Sequence, residues 1–278
     1  MSRDVRIAID TAEFPLTIEG ETLVGGPEVM ARVDDDLTAG QPWQKAGYVV
    51  TDFLTPAENQ TIREGLADLV RESLEAATGL SPADFDPSQY HTYLRDDADH
   101  VAFCALIKDC FPYDRFPLDI CNVEARISEI CGVDVWVRPR YGPAGFCIRV
   151  IRPARTDFNP PHRDVWLDRL RHGINLYFPI AGSTENSSLP LVPGSHFWRE
   201  DQIERTAAGA RVNGVNFTVP AVVDWSPKTP LMRPNPNAEQ VMVFSPYLIH
   251  GGGINAQRDV TRVSLEMRLW RRDAPVQA

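Results

Sequence analysis

The spacing of hydrophobic residues in this chain changes near residue 134. Before it, apolar residues recur at helical intervals, at Ile62, Leu66, Leu69 and Leu74. The segment Thr55-Pro56-Ala57-Glu58 precedes them with a capping threonine, a proline suited to the first turn and a glutamate that completes a capping box. A second helix is predicted over residues 117–131, with Gly132 where a helix would stop.

Beyond residue 134 the apolar residues fall into short runs rich in β-branched and aromatic side chains, with proline and glycine between them. These runs are 135–137, 146–151, 174–180, 241–244 and 263–270, and an earlier one lies at 47–50. Short strands with such punctuation predict a sandwich or barrel. We therefore expect a mainly β protein with flanking helices, in which a helical N-terminal half (1–133, helical or mixed, with 1–43 left unassigned) packs against a C-terminal β core (134–272).

The boundary between these halves is a change of spacing and not a linker, so we expect a single domain over 1–278, with a variable insert around 200–240. The net charge is −10 and no long basic run occurs, which argues against a general nucleic-acid or anionic-membrane partner. No apolar run approaches the roughly 20 residues that span a bilayer. The first residues, MSRDVRIAIDTAEF, carry charges where a signal peptide needs an apolar stretch, so we expect a cytoplasmic protein.

The cysteines indicate free thiols. They are Cys104, Cys110, Cys121, Cys131 and Cys147. Their number is odd and no CxxC occurs, so the sequence predicts neither a disulfide framework nor a zinc knuckle. Burial is the usual state of such thiols.

The stretch NPPHRDVWLDRL contains His162-Arg163-Asp164, which matches three letters of a protein-kinase catalytic loop. That loop needs an asparagine five residues after its aspartate, where this chain has Arg169, and no DFG follows. A metal site is the better interpretation, because residues i and i+2 of an extended segment point to the same face. His162 and Asp164 then face a metal together, and Arg163 points away.

His250 is the predicted second imidazole. It ends an apolar run, precedes Gly251-Gly252-Gly253 and lies 88 residues after His162. Two imidazoles and a carboxylate form the facial triad of non-haem Fe(II) oxygenases, which leaves coordination positions open. Further on, Arg262 and Ser264 share one face of an alternating strand and can bind a carboxylate.

These residues resemble the set used by Fe(II)- and 2-oxoglutarate-dependent dioxygenases, and within that superfamily the phytanoyl-CoA dioxygenase-like group. The segment 186–196, which ends in Pro-Gly-Ser-His, is similar to a segment of that group, as is the opening strand and helix from Gly47 to Glu58. The resemblance covers roughly residues 44–270. The arginine lies about one position later than the group's pattern, which makes Arg258 a competitor of Arg262, and residues 200–240 match no segment of the group.

The resemblance implies a double-stranded β-helix (jelly roll, cupin-like) with Fe(II) held by His162, Asp164 and His250. It also implies 2-oxoglutarate bound to the iron, with its distal carboxylate on Arg262 and Ser264. The implied reaction is an oxygen-dependent hydroxylation, or a related C–H oxidation, of a small molecule in a biosynthetic or secondary-metabolic pathway. A cupin-like metal-dependent isomerase, or a jelly-roll enzyme that ignores 2-oxoglutarate, is the alternative.

Further residues have predicted roles around the site. Asn175 is polar within an apolar strand and could contact the co-substrate. Arg149 could meet an anionic substrate, or lie on the surface. Trp166 and Trp225 could wall the substrate pocket, or simply pack. His196 is expected to stabilise its turn and not to serve as a fourth ligand.

Overall fold

A computed structural model describes residues 2–31, 35–137 and 145–273. The helices of these segments are α1 (Pro56–Thr78), α2 (Asp97–Ile107) and α3 (Ile120–Cys131). The strands are β1 (Ser2–Ile9), β2 (Ala12–Glu19), β3 (Thr22–Val24), β4 (Tyr48–Asp52), β5 (Val135–Trp136), β6 (Cys147–Ile151), β7 (Gly173–Ala181), β8 (Ile203–Thr206), β9 (Ala210–Val212), β10 (Val215–Phe217), β11 (Val222–Trp225), β12 (Gln240–Phe244) and β13 (Arg262–Arg271). None of these helices has both the length and the apolarity that crossing a bilayer requires.

The largest sheet is antiparallel and has the strand order β4-β12-β7-β13-β5, with β6 also paired to β13. Every residue of β7 is buried, as expected for a central strand covered on both faces. Strand β13 pairs with β7, β6 and β5, so its side chains lie in the middle of the sheet. The curled, mostly β architecture is consistent with a cupin-like fold.

The local signals for the helices are confirmed. Thr55 accepts a hydrogen bond from the Glu58 backbone while the Glu58 side chain accepts one from the Thr55 backbone, and Pro56 occupies the first turn of α1. Helix α3 ends at Gly132, whose φ of 67° is in the left-handed region that glycine adopts readily. The apolar faces of both helices pack on the main core, with Leu66, Leu74 and Ile127 fully buried.

The prediction of a helical N-terminal half is wrong for its first residues. Strands β1 and β2 form a hairpin that pairs with β9, and β3 pairs with β8. These partners lie in 200–240, the region predicted as a variable insert, which contributes β8 to β11. Because the paired strands lie far apart in the sequence, the only local sign of them is the alternation of apolar and polar residues.

The prediction of free cysteines is wrong for one pair. Cys110 and Cys147 form a disulfide, with their Cα atoms 4.5 Å apart. They meet because Phe111 and Phe146 exchange backbone hydrogen bonds of 2.8 and 2.9 Å, which aligns the neighbouring cysteines. The remaining thiols are buried at Cys131, partly buried at Cys104 and exposed at Cys121.

Reducing this disulfide should lower the free energy of unfolding by about 2–4 kcal/mol, because the bond closes a loop and restricts the unfolded chain. The two bonded cysteines are 37 residues apart in the sequence. Urea unfolding of Cys110→Ser, beside the wild type with and without dithiothreitol, measures the effect. Cys121→Ser, which removes an exposed free thiol, should change the midpoint little. Equal stability of oxidised and reduced protein would contradict the prediction.

Candidate metal centre

Two distant segments meet in a short antiparallel bridge between His162 and His250. The His162 N–H donates to the His250 carbonyl at 2.8 Å, and the His250 N–H donates back at 3.0 Å. The predicted extended backbone holds through Arg163, but Asp164 begins a 3-10 turn. His250 also lies beyond the end of β12, which stops at Phe244. The two histidines are therefore placed by an isolated bridge and not by long strands.

The side chains of His162, Asp164 and His250 converge in the interior. Asp164 Oδ1 lies 3.3 Å from His162 Nε2 and 3.9 Å from His250 Nε2. One ligand atom from each residue lies within 4.8 Å of the others, and all three residues are buried. The spacing suits a single metal ion held by two imidazoles and a carboxylate.

The hydrogen bonds of the imidazoles fix which ring nitrogen is free. His162 Nδ1 lies 2.7 Å from the Pro160 carbonyl, and His250 Nδ1 lies 3.0 Å from the Leu248 carbonyl. Because a carbonyl only accepts, each Nδ1 carries a hydrogen, and each ring presents its Nε2 towards Asp164. Three electron pairs thus converge on one point, an arrangement that a cation stabilises.

The protonation states also suit a metal. Burial, assisted by the nearby His162, lowers the pKa of His250 to about 4, so this imidazole is neutral at pH 7. Burial alone would raise the pKa of Asp164, but the charge of Arg268 holds it well below its usual range. Neutral imidazole and ionised carboxylate are the forms that bind metals.

The second oxygen of Asp164 is held by donors. Oδ2 accepts hydrogen bonds from Asn175 Nδ2 at 2.9 Å and from Arg268 Nε at 3.0 Å, and Arg268 Nη2 lies 3.0 Å from it in an ion pair. A small inner cavity lies beside the metal centre and is lined by His162, His250 and Arg262. Asn175 also lines this cavity, but its amide is bonded to Asp164. Sequence reasoning missed Arg268, although it continues the alternating series of Arg262, Ser264 and Glu266.

A buried cationic site lies in the same inner cavity. Arg262 lines that cavity with His162 and His250, is 2% exposed, and donates from Nη1 to the Ser187 carbonyl at 3.0 Å. Within the described residues, Arg262 Nε and Ser264 Oγ have no hydrogen-bond partner. The competitor Arg258 is exposed. Buried donors without acceptors indicate a place for an acceptor that the chain does not supply.

Arg233 adds a second buried cation near Arg262. Burial, together with the charge of Arg262, lowers the pKa of Arg233 to about 10. Its Nη1 also lacks a partner among the described residues, and its nearest carboxylate oxygen, on Asp10, is 4.0 Å away. Two neighbouring guanidinium groups with so little negative charge between them favour an anionic ligand.

A larger cleft of about 780 Å³ opens beside the metal centre and is lined by His162 and Asp164. Helix α2 forms one wall, and β6 and β10 contribute to the other. Its apolar lining includes Val101, Ile107, Ile148, Val150, Phe217 and Trp270. Arg149, Glu266 and Arg268 line both the cleft and the inner cavity, and Arg149 Nε donates to Glu266 Oε2 at 3.0 Å.

The structure places the two predicted substrate tryptophans elsewhere. Trp166 Nε1 donates to Glu200 at 3.0 Å, and Trp225 Nε1 donates to the Thr229 carbonyl at 2.9 Å. Both rings pack against a hydrophobic cluster that includes Ile203, Val222 and Leu231. Neither ring lines the cavity or the cleft. Their aromatic character reflects packing in that cluster.

His196 and Arg163 are structural neighbours of the centre. His196 is fully buried and its Nε2 lies 2.9 Å from the Gln44 carbonyl, which ties its turn to residue 44. Arg163 is also buried, and its guanidinium contacts Glu200 and the Ser195 carbonyl and not the metal-centre side chains.

No protein-family model matches the chain, and no curated protein matches it significantly. Similar solved structures include a non-heme monooxygenase, the ThoJ–Ni complex, at 16% identity and a TM-score of 0.46 over 84% of this chain and 78% of that one. AviO1 from Streptomyces viridochromogenes Tue57 has 16% identity and a TM-score of 0.46, over 91% and 100%. EctD from S. alaskensis with 2-oxoglutarate and 5-hydroxyectoine has 12% identity and a TM-score of 0.47, over 91% and 83%.

Proposed function

We propose that this protein is a non-haem Fe(II)- and 2-oxoglutarate-dependent oxygenase of the double-stranded β-helix fold, which oxidises a C–H bond of a small molecule. The convergence of Asp164 Oδ1 with the Nε2 atoms of two imidazoles supports this proposal most directly. The unsatisfied donors of Arg262 and Ser264 in the adjoining strand add a second, independent indication.

Each residue has a distinct role in this proposal. His162, Asp164 and His250 hold the iron and leave its remaining positions open. Iron with 2-oxoglutarate supplies the oxidising power that attack on an unactivated C–H bond requires. Arg262 binds the distal carboxylate of the co-substrate through charge-assisted hydrogen bonds, and Ser264 donates a further one.

The cleft beside the iron receives the substrate. Its apolar residues on α2 and β6 exclude water and orient an organic molecule, while His162 and Asp164 in its lining bring the metal within reach. Arg149 and Glu266 also line the cleft, form an ion pair and offer polar contacts. A 780 Å³ cleft suits a medium-sized metabolite.

Titration of 2-oxoglutarate into anaerobic, Fe(II)-loaded protein tests the proposal. We expect one molecule bound per chain, no binding without metal, and slow succinate formation in air that a substrate accelerates. A panel of metabolites assayed for accelerated succinate release then identifies the substrate class. Iron binding without 2-oxoglutarate binding would contradict the oxygenase proposal and favour a metal-dependent isomerase.

A further inference from the structure

The two oxygens of the Asp164 carboxylate have different surroundings. Oδ1 faces the imidazole Nε2 atoms, whereas Oδ2 accepts hydrogen bonds from Asn175 Nδ2 and Arg268 Nε and lies 3.0 Å from Arg268 Nη2. The Asp164 side chain is 2% exposed and that of Arg268 is 23% exposed, at the junction of the inner cavity and the cleft. Rotation of the carboxylate would break both hydrogen bonds and the ion-pair contact.

We propose that Arg268, together with Asn175, is a positioning residue that restricts Asp164 to binding the metal through Oδ1 alone. This inference rests on the metal site of the proposed function. A carboxylate free to rotate could chelate the ion through both oxygens and occupy a position that the co-substrate or oxygen needs. With Oδ2 held by a guanidinium and an amide, one coordination position stays open.

Arg268 also prepares the site before metal binds. A buried carboxylate with no partner for its oxygens is strongly disfavoured. The guanidinium of Arg268 and the amide of Asn175 hold Oδ2 and so keep Oδ1 aimed at the imidazoles. The ligands are thus ordered in advance, which reduces the entropy lost when metal binds.

Loss of charge and loss of orientation have opposite effects on metal affinity, which makes the inference testable. Removing a cation near a divalent ion strengthens binding if Coulomb repulsion is all that changes. Removing a hydrogen-bond partner that orients a ligand weakens binding, typically by about 10–100-fold. Arg268→Met removes both the charge and the orienting bonds while keeping the length of the side chain.

Arg149→Met is the matched control. Arg149 also lines both the cavity and the cleft, but it pairs with Glu266 and makes no hydrogen bond to Asp164 among the described contacts. Its removal changes the charge without releasing the ligand. Metal affinity should therefore stay equal or become tighter in Arg149→Met.

The experiment is a Co(II) titration of the metal-free, full-length protein at pH 7, followed by calorimetry and by visible absorption. We expect the Kd for Co(II) to rise about 10–100-fold in Arg268→Met, with an altered d–d spectrum that reports a changed coordination number. Arg268→Lys, which keeps the charge but not the two-point contact, should fall between this variant and the wild type. Thermal unfolding of each metal-free variant shows whether it is folded.

Unchanged or tighter Co(II) binding by Arg268→Met, with an unchanged spectrum, would overturn the inference. Equal weakening in Arg149→Met would do so as well, because charge and not orientation would then be responsible. If Arg268→Met does not fold, Arg268→Lys takes its place. A raised Kd for Co(II) in Arg268→Lys then supports the inference, and an unchanged Kd overturns it. A wild-type protein that binds no Co(II) would instead overturn the proposed metal site itself.

Discussion

Asp164→Ala should lose the metal and all succinate formation. The substitution removes the carboxylate on which two imidazoles converge, so the loss of metal affinity should exceed the about 10–100-fold cost of losing an outer hydrogen-bond partner. Iron content after gel filtration and 2-oxoglutarate-dependent succinate release measure the two effects. Iron retention together with full turnover would exclude Asp164 as a ligand.

Two further variants sharpen this test. Asp168→Ala removes an exposed carboxylate four residues away, whose described ion pair is with Arg171, and should keep both iron and turnover. Asp164→Asn keeps the shape of the side chain but not its charge. A folded Asp164→Asn protein without iron would separate the loss of a ligand from the instability that an unpaired Arg268 causes.

Arg262→Met should strongly weaken 2-oxoglutarate binding while leaving metal binding intact. Truncating one partner of a buried, hydrogen-bonded charge pair costs about 2–5 kcal/mol, so the Kd for 2-oxoglutarate should rise at least about 30-fold. Calorimetry on Fe(II)-loaded protein measures this Kd, and a Co(II) titration confirms that the metal site is unaffected.

Arg258→Met is the control for this variant, because Arg258 is exposed whereas Arg262 is buried in the cavity. It should bind 2-oxoglutarate as the wild type does. The reverse pattern, with weakened binding only in Arg258→Met, would transfer the carboxylate site to Arg258. Arg262→Lys, which keeps the charge, should recover part of the affinity.

Elements with strong local signals could be predicted from the sequence. The capping box at Thr55 and Glu58 and the glycine after residue 131 fix helix ends through contacts within a few residues. The runs that became β7, β12 and β13 are apolar enough to indicate buried strands. Helix α2 gave no clear pattern, because Val101 and Leu106 are exposed while Phe103 is buried.

Contacts between distant segments could not be predicted in the same way. The hairpin of β1 and β2 needs β9, and Cys110 meets Cys147 only because Phe111 pairs with Phe146. No local pattern encodes either partner.

In the site, spacing predicted His162 and Asp164, while the role of Arg268 depends on how β13 lies against Asp164. Alternation along that strand was the available signal, and it extends to Arg268. The tryptophans were predicted from residue type alone, and a tryptophan can line a pocket or pack in a core equally well.

The pairing of β2 with β9 also has a consequence for biosynthesis. Ile18 pairs with Val212, and at translation rates of about 5–20 residues per second the later strand emerges roughly 10–40 s after the earlier one. During that interval the buried residues of the hairpin, Ile7, Ile9, Leu16 and Ile18, have no partner sheet. The part of the cleft lining that β10 contributes therefore forms late during synthesis. Until then the nascent chain exposes an apolar hairpin, which chaperones can bind and which can aggregate.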